Sequence, residues 1–160
     1  MRLKLLTAIA AATLLAACAS EPASTTQTTG TGTTTQTPPS VTRSPQEVLA
    51  AEAGDRVFFA FDRFALSADA QATLRRQATV IGRFPQARIM IEGHADERGT
   101  REYNLALGER RANAVRDFMA QLGVPAARIT TTSFGKERPA VVGSNEAAWA
   151  QNRRAVTVLQ

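Results

Sequence analysis

Acidic, basic and imidazole side chains crowd the stretch from Ile91 to Val115, IEGHADERGTREYNLALGERRANAV. From Thr100 onward the apolar residues follow a helical period. At about 100° per residue, with Tyr103 at zero, Leu107, Ala114, Val115, Phe118 and Leu122 fall within roughly 20° to 120°. Arg111, near about 80°, and Asn104, near about 100°, sit inside that apolar stripe, whereas Glu109, Asn113, Arg116 and Asp117 fall opposite. Arginine keeps its proton, so a guanidinium on a buried face must find a partner. Asp96 is the expected one, just beyond the strand that feeds the helix, and Asp62 ends the neighbouring strand and can face the same crevice. Ligands in such sheets favour the carboxyl ends of strands. Two arrangements satisfy these residues. One is a closed Asp96–Arg111 salt bridge that only fixes the turn. The other is a clamp for a zwitterion: carboxylate oxygens accept from a ligand ammonium, the arginine fork donates to a ligand carboxylate, and helix amides add positive potential.

Catalytic chemistry fits the composition poorly. Cys18 is the single cysteine and His94 the single histidine, which excludes a disulfide framework and most zinc sites and makes any Ser-His-Asp triad depend on His94. Glu92, Asp96 and Glu97 cluster on one turn, whereas glycoside hydrolysis needs two carboxylates across a sugar. His94 is expected to orient the turn by hydrogen bonding, Trp149 to pack against the last strand, and Arg153-Arg154 to form a solvated or salt-bridged pair. The formal charge of +5 is mild for 160 residues and the basic residues alternate with acidic ones, so nucleic acid is not a suggested partner.

The elements that must hold these residues are legible from caps and periodicity. Ser44-Pro45-Gln46-Glu47 has the capping-box spacing and predicts a short helix to about Ala53, closed by Gly54. Arg56–Asp62, RVFFAFD, reads as a strand. Ser67 caps a helix with Leu74, Ala78 and Ile81 on one face, before Pro85. Arg88–Gly93 is a second strand, and a long helix runs from about Arg101 to Leu122, stopped by Gly123. Ile129–Phe134 is a third strand, Asn145–Ala150 a helical turn and Arg154–Leu159 a final strand. This order predicts an α/β (α+β) sandwich, a small mixed four-stranded sheet with helices on one face.

Upstream of residue 44 the composition changes. Arg2 and Lys4 precede the apolar run Leu5–Ala17, too short for the roughly 20 residues of a membrane-spanning helix and proportioned as a signal peptide. Residues 1–17 are therefore expected to be a leader. Residues 18–43, rich in Thr, Ser, Gln, Gly and Pro, are expected to be a disordered tether, with too few large apolar groups to offset the entropy of ordering. Stretched out, about 23 residues of it reach on the order of 70 to 80 Å. The folded domain spans 44–160.

Several runs carry a resemblance. Leu15-Ala16-Ala17-Cys18 resembles the bacterial lipobox, which implies acylation of Cys18 and stable anchoring by several acyl chains. With Ala19 after the cysteine in place of aspartate, the sorting rule of such lipoproteins points to the outer membrane, with the domain facing the periplasm. GHADERGTREYNLALGERRANAVRDF, SFGKERPAVVG and NEAAWAQNRRAV resemble the OmpA-like peptidoglycan-binding family, and within it the wall-associated lipoproteins of the Tol-Pal system, from about Val57 onward. The resemblance implies a non-enzymatic protein without cofactor or metal, whose ligand is the diaminopimelate of uncrosslinked stem peptides. Asp96 then receives the ligand ammonium and Arg111 its carboxylate, while Asp62, Asn104 and Leu107 complete the pocket. It also implies peptidoglycan, TolB and other Tol-system proteins as partners, with a role in envelope integrity and cell division. The alternatives are an OmpA-like lipoprotein that anchors the wall without a Tol partner, and a cell-wall hydrolase.

Overall fold

The computed structural model describes residues 43–160. The expected leader, Cys18 and the tether to residue 42 lie outside the described residues. Helix α1 (Pro45–Glu52) starts as its sequence dictates: Ser44 Oγ accepts from Glu47 N at 3.3 Å, and Glu47 Oε2 accepts from Ser44 N at 2.7 Å. Strand β1 (Arg56–Phe58) follows, then α2 (Ala68–Gly82) capped by Ser67. Strand β2 (Ile89–His94) leads to α3 (Arg101–Gln121), capped by Thr100 and ended by Gly123 at φ 93°. A single 3-10 turn, Ala126–Arg128, precedes β3 (Ile129–Gly135). The last elements are α4 (Glu146–Asn152), capped by Asn145, and β4 (Arg154–Leu159).

The four strands form one mixed sheet in the order β1-β4-β2-β3. β2 and β3 are parallel, and β4 runs antiparallel to both of its neighbours, β1 and β2. β1, β2 and β3 therefore end at the same edge of the sheet, where β4 begins. Ile89 and Ile91 of β2, with Ala155 and Leu159 of β4, bury one sheet face against Leu74 and Ile81 of α2 and Val115 and Met119 of α3. The large aliphatic side chains among them contribute about 2 kcal/mol each. On the other face Glu92, Thr132, Val156 and Val158 are only half-buried, so helices α1–α3 share one side as expected.

Two details differ from the sequence reading. β1 ends at Phe58 instead of running to Asp62. Its partner β4 begins at Arg154, and beyond one further bond from Phe59 N to Arg153 O at 2.9 Å the partner chain has become α4. Phe61 and Asp62 form a turn, with Asp62 left-handed at φ 55°, a conformation that aspartate tolerates better than most residues. Nor does β1 lie next to β2, because β4 is inserted between them.

The long helix approaches the sheet most closely at a glycine pair. A Cβ on Gly93 would lie 1.8 Å from the carbonyl oxygen of Gly108, and one on Gly108 would lie 2.3 Å from Ser133 Oγ. Only hydrogen atoms fit there. This contact sits one helical turn before Arg111 and sets the height of that side chain above the strand ends.

Candidate functional site

Asp62, Asp96, Asn104, Leu107 and Arg111 line a single cavity of about 230 Å³ at the strand ends. That is smaller than the roughly 300 to 1,000 Å³ typical of drug-sized ligands and suits an amino-acid-sized head group. All five residues singled out in the sequence meet there, although Asp62 is exposed and the other four are buried.

Arg111 has no exposed surface. Its Nε donates to Arg63 O at 2.9 Å, Nη1 to His94 O at 2.7 Å and Nη2 to Ala60 O at 3.2 Å. The closed Asp96–Arg111 salt bridge is not formed, and among the described residues no carboxylate pairs with Arg111. Peptide dipoles from the β1–α2 loop and the end of β2 hold the charge in place of a side chain. A guanidinium carries five N–H donors, and three are spent. One remains on each terminal nitrogen, and a carboxylate is the acceptor that can engage two guanidinium donors at once. Burial pushes the Arg111 pKa down to about 10, partly offset by Asp96, so the group stays charged at neutral pH.

Asp96 finds its partners in its own turn. Oδ1 accepts from Arg98 N at 3.1 Å and Arg98 Nε at 3.2 Å, and Oδ2 accepts from Arg98 Nη2 at 2.5 Å and Arg153 Nη1 at 3.4 Å. Burial favours the neutral acid, but the hydrogen bonds from Arg98 outweigh it and hold the carboxyl below the usual range. The bond to Arg98 N is an Asx turn. The turn is held further by its carbonyls: Lys136 Nζ donates to Glu97 O at 3.2 Å and Gly99 O at 2.8 Å, and Asn104 Nδ2 donates to Arg98 O at 2.8 Å. Gly99, at φ 90°, supplies the reversal. Asn104 thus lines the cavity and also fixes the loop that presents Asp96.

The cavity contains residues that the sequence reading did not assign. The Tyr103 hydroxyl donates to Asp62 Oδ1, a bond that holds its phenol above the ordinary range. Tyr103 precedes Asn104 and stands four residues before Leu107, so helical spacing could have placed it on the rim. Arg98 also lines the wall, its guanidinium carbon 4.0 Å from the ring centres of both Phe61 and Trp149. Trp149 therefore stacks on Arg98 and donates from Nε1 to Glu97 Oε1 at 3.0 Å, rather than packing on the last strand. Arg153 and Arg154 are both buried. Arg153 bridges Asp96, Glu146 and Phe59 O, while Arg154 donates to Asn152 O and Arg138 O.

His94 does not orient the turn with its ring. Among the described residues both ring nitrogens are buried without a hydrogen-bond partner, the Glu92 carboxylate standing 3.7 Å from Nε2, and the ring stacks on Phe134 at 5.5 Å. Burial, aided by the nearby charges of Arg154 and Arg138, pushes its pKa down to about 4, so it is neutral in neutral solution. Its ordering role is carried by the backbone carbonyl that accepts from Arg111. Among the described residues no group of three or more His, Cys, Asp or Glu is placed to hold a metal ion.

Comparison with known proteins agrees with this architecture. Residues 58–153 match the OmpA family model. The chain belongs to the OmpA family. It is 57% identical over 120 residues to the peptidoglycan-associated lipoprotein of Agrobacterium fabrum, a match covering 75% of this chain and 68% of that protein. It is 61% identical over 106 residues to that of Brucella melitensis, covering 66% of this chain and 63% of the relative. The matches thus span about two thirds of these relatives' length. Among solved structures, the peptidoglycan-associated lipoprotein of Burkholderia pseudomallei superposes with a TM-score of 0.65 at 48% identity, covering 68% of this chain and 92% of that one. The OmpA-like domain of FopA1 from Francisella tularensis gives 0.57 at 28% identity, covering 65% and 70%.

Proposed function

We propose that this protein binds peptidoglycan without cleaving it, by clamping the free end of diaminopimelate in uncrosslinked stem peptides. One observation carries the reading: among the described residues Arg111 is a buried cation held only by backbone carbonyls, with one donor unspent on each terminal nitrogen, in a small cavity that also contains Asp96. An amino acid head with ammonium and carboxylate complements that pair. Asp96 takes the ammonium, Arg111 the carboxylate, Asp62 and Tyr103 close the outer wall, and Leu107 offers apolar contact to the methylene stem. The names of the relatives support a wall-associated lipoprotein.

On this reading residues 1–17 are a signal peptide, Cys18 carries the lipid, residues 18–43 are the tether and residues 44–160 the wall-binding domain. The protein links the outer membrane to the cell wall from the periplasmic side, with TolB and the Tol system as partners in envelope integrity and division. Titration with a diaminopimelate tripeptide and with its lysine counterpart tests the clamp. Lysine lacks the distal carboxylate, so binding falls at least tenfold. Equal affinity for both peptides sinks the role of Arg111. Retained sacculus pull-down by Asp96→Asn sinks that of Asp96, and failure to co-purify with TolB leaves a wall anchor outside the Tol system.

A further inference from the structure

The Asp96 carboxylate is already full. An ionised carboxylate has about four lone-pair sites, and four donors occupy them, two on each oxygen: Arg98 N, Arg98 Nε, Arg98 Nη2 and Arg153 Nη1. An incoming ammonium must displace one of these donors. Arg98 N belongs to the backbone of a turn whose carbonyls are clasped by Lys136 and Asn104. The Arg153 side chain is only 7% exposed and is tied to Phe59 O and Glu146 as well. The Arg98 side chain, by contrast, is 32% exposed and among the described residues makes no other hydrogen bond through its guanidinium.

Arg98 also has somewhere else to be. Its guanidinium lies between the rings of Phe61 and Trp149, and Glu146 Oε2 stands 4.0 Å from its Nη2. Cation–π contact on two faces holds the group whether or not Asp96 is available. A short displacement within the aromatic sandwich takes the charge from Asp96 toward Glu146 without leaving it unpaired.

We propose that Arg98 is a latch on the ammonium half of the cavity: it holds Asp96 in the free protein and yields it, toward Glu146, when a ligand ammonium arrives. The inference rests on the diaminopimelate reading of the site. Its consequence is that the free protein discriminates against weak cations. Only a ligand that also engages Arg111 supplies enough binding energy to open the latch, because each differential contact shifts the equilibrium only by its own free energy. Arg98 is thereby a specificity-determining residue whose own interaction opposes binding.

The test is titration of the full chain in detergent, wild type and Arg98→Gln, with L-Ala-γ-D-Glu-meso-diaminopimelate. The same tripeptide acetylated on its distal amino group serves as control. Arg98→Gln is expected to tighten the free-amine tripeptide by roughly tenfold and to leave the acetylated one unchanged. Unchanged or weaker binding of the free-amine tripeptide by the variant overturns the latch, the weaker case making Arg98 a ligand contact. A wild-type protein that binds neither tripeptide overturns the diaminopimelate reading itself and the latch with it. The Arg98 Nε–H resonance of the wild type gives a second measurement independent of the variant's folding. It must move on adding the free-amine tripeptide, while the Trp149 Nε1–H signal stays; an Arg98 resonance that remains in place at saturation also overturns the proposal.

Discussion

Asp96 and Arg111 line the same cavity, but two guanidinium groups match the charge of Asp96, whereas Arg111 meets only peptide dipoles. The acidic half is a network of side chains that can trade partners. The basic half is a socket of carbonyls contributed by three separate positions, 60, 63 and 94, and has no such freedom. A side-chain pair can be exchanged for a ligand without moving the backbone. A carbonyl socket cannot, so the fixed member sets the geometry and the exchangeable member sets the selectivity.

This contrast can be broken first at the glycine contact beneath both halves. Gly93→Val places methyl carbons where the Gly108 backbone stands and should lift α3, drawing Arg111 out of its carbonyl socket beside the Asp96 turn. We expect a loss beyond the 1–3 kcal/mol usual for overpacking, read by urea unfolding; a wild-type midpoint would show that the approach of α3 is not what fixes the site. Next is Arg111→Met, which leaves the Ala60, Arg63 and His94 carbonyls without their buried donor and should cost about 3 kcal/mol or more, at roughly 1 kcal/mol or more for each orphaned acceptor. Asp96→Asn keeps a polar group in its network and should cost less, about 1–2 kcal/mol. Equal losses for the two variants would erase the distinction between socket and network.

Acid sharpens the comparison from the side of the socket. His94 has a folded pKa of about 4 against an ordinary 6.5, so the unfolded chain binds its proton first. Its contribution to stability is complete above about pH 6.5 and is lost as pH falls toward 4, by about 3 kcal/mol in all. A His94→Phe variant should show a flatter stability profile across that window; an unchanged slope would assign the acid response elsewhere. The smallest effect is expected of Lys136→Met, which frees the Glu97 and Gly99 carbonyls at an exposed site and should cost about 1 kcal/mol or less. A measurably weaker grip on the diaminopimelate tripeptide by this variant would show that the turn, and not only Asp96, is held by design.

The caps explain why so much of the fold was legible. Ser44, Ser67 and Thr100 announce their helices through local hydrogen bonds that any chain with those residues would make, and Gly54 and Gly123 end two of them through backbone freedom alone. Arg111 and Asn104 were likewise visible, because helical period puts them among apolar neighbours. Their partners were not. Arg111 reaches carbonyls 48 and 51 residues away, and a carbonyl looks the same in every residue. For Asp96 the sequence points to a distant arginine, although its own turn supplies a nearer one, two residues on. The early end of β1 was hidden for a related reason: RVFFAFD has strand composition throughout, but its length is decided by where β4 begins.

That placement of β4 bears on the order in which the molecule can be made. Among the described residues β1 pairs with β4 alone, yet about a hundred residues separate them along the chain. As the polypeptide is synthesised from its N-terminus, α1, β1 and α2 arrive first and wait beside an unfilled slot, while β2, α3 and β3 can already close their own parallel crossover. The sheet becomes continuous only when residues 154–159 slide between two strands already present. Until then the backbone of β1 and one edge of β2 are open to foreign strands, so a nascent or clipped chain lacking β4 exposes both edges at once. Arg153 arrives in the same step, and its contact completes the network around Asp96. The site is finished by the insertion that seals the sheet, which ties competence to hold a ligand to arrival of the last strand.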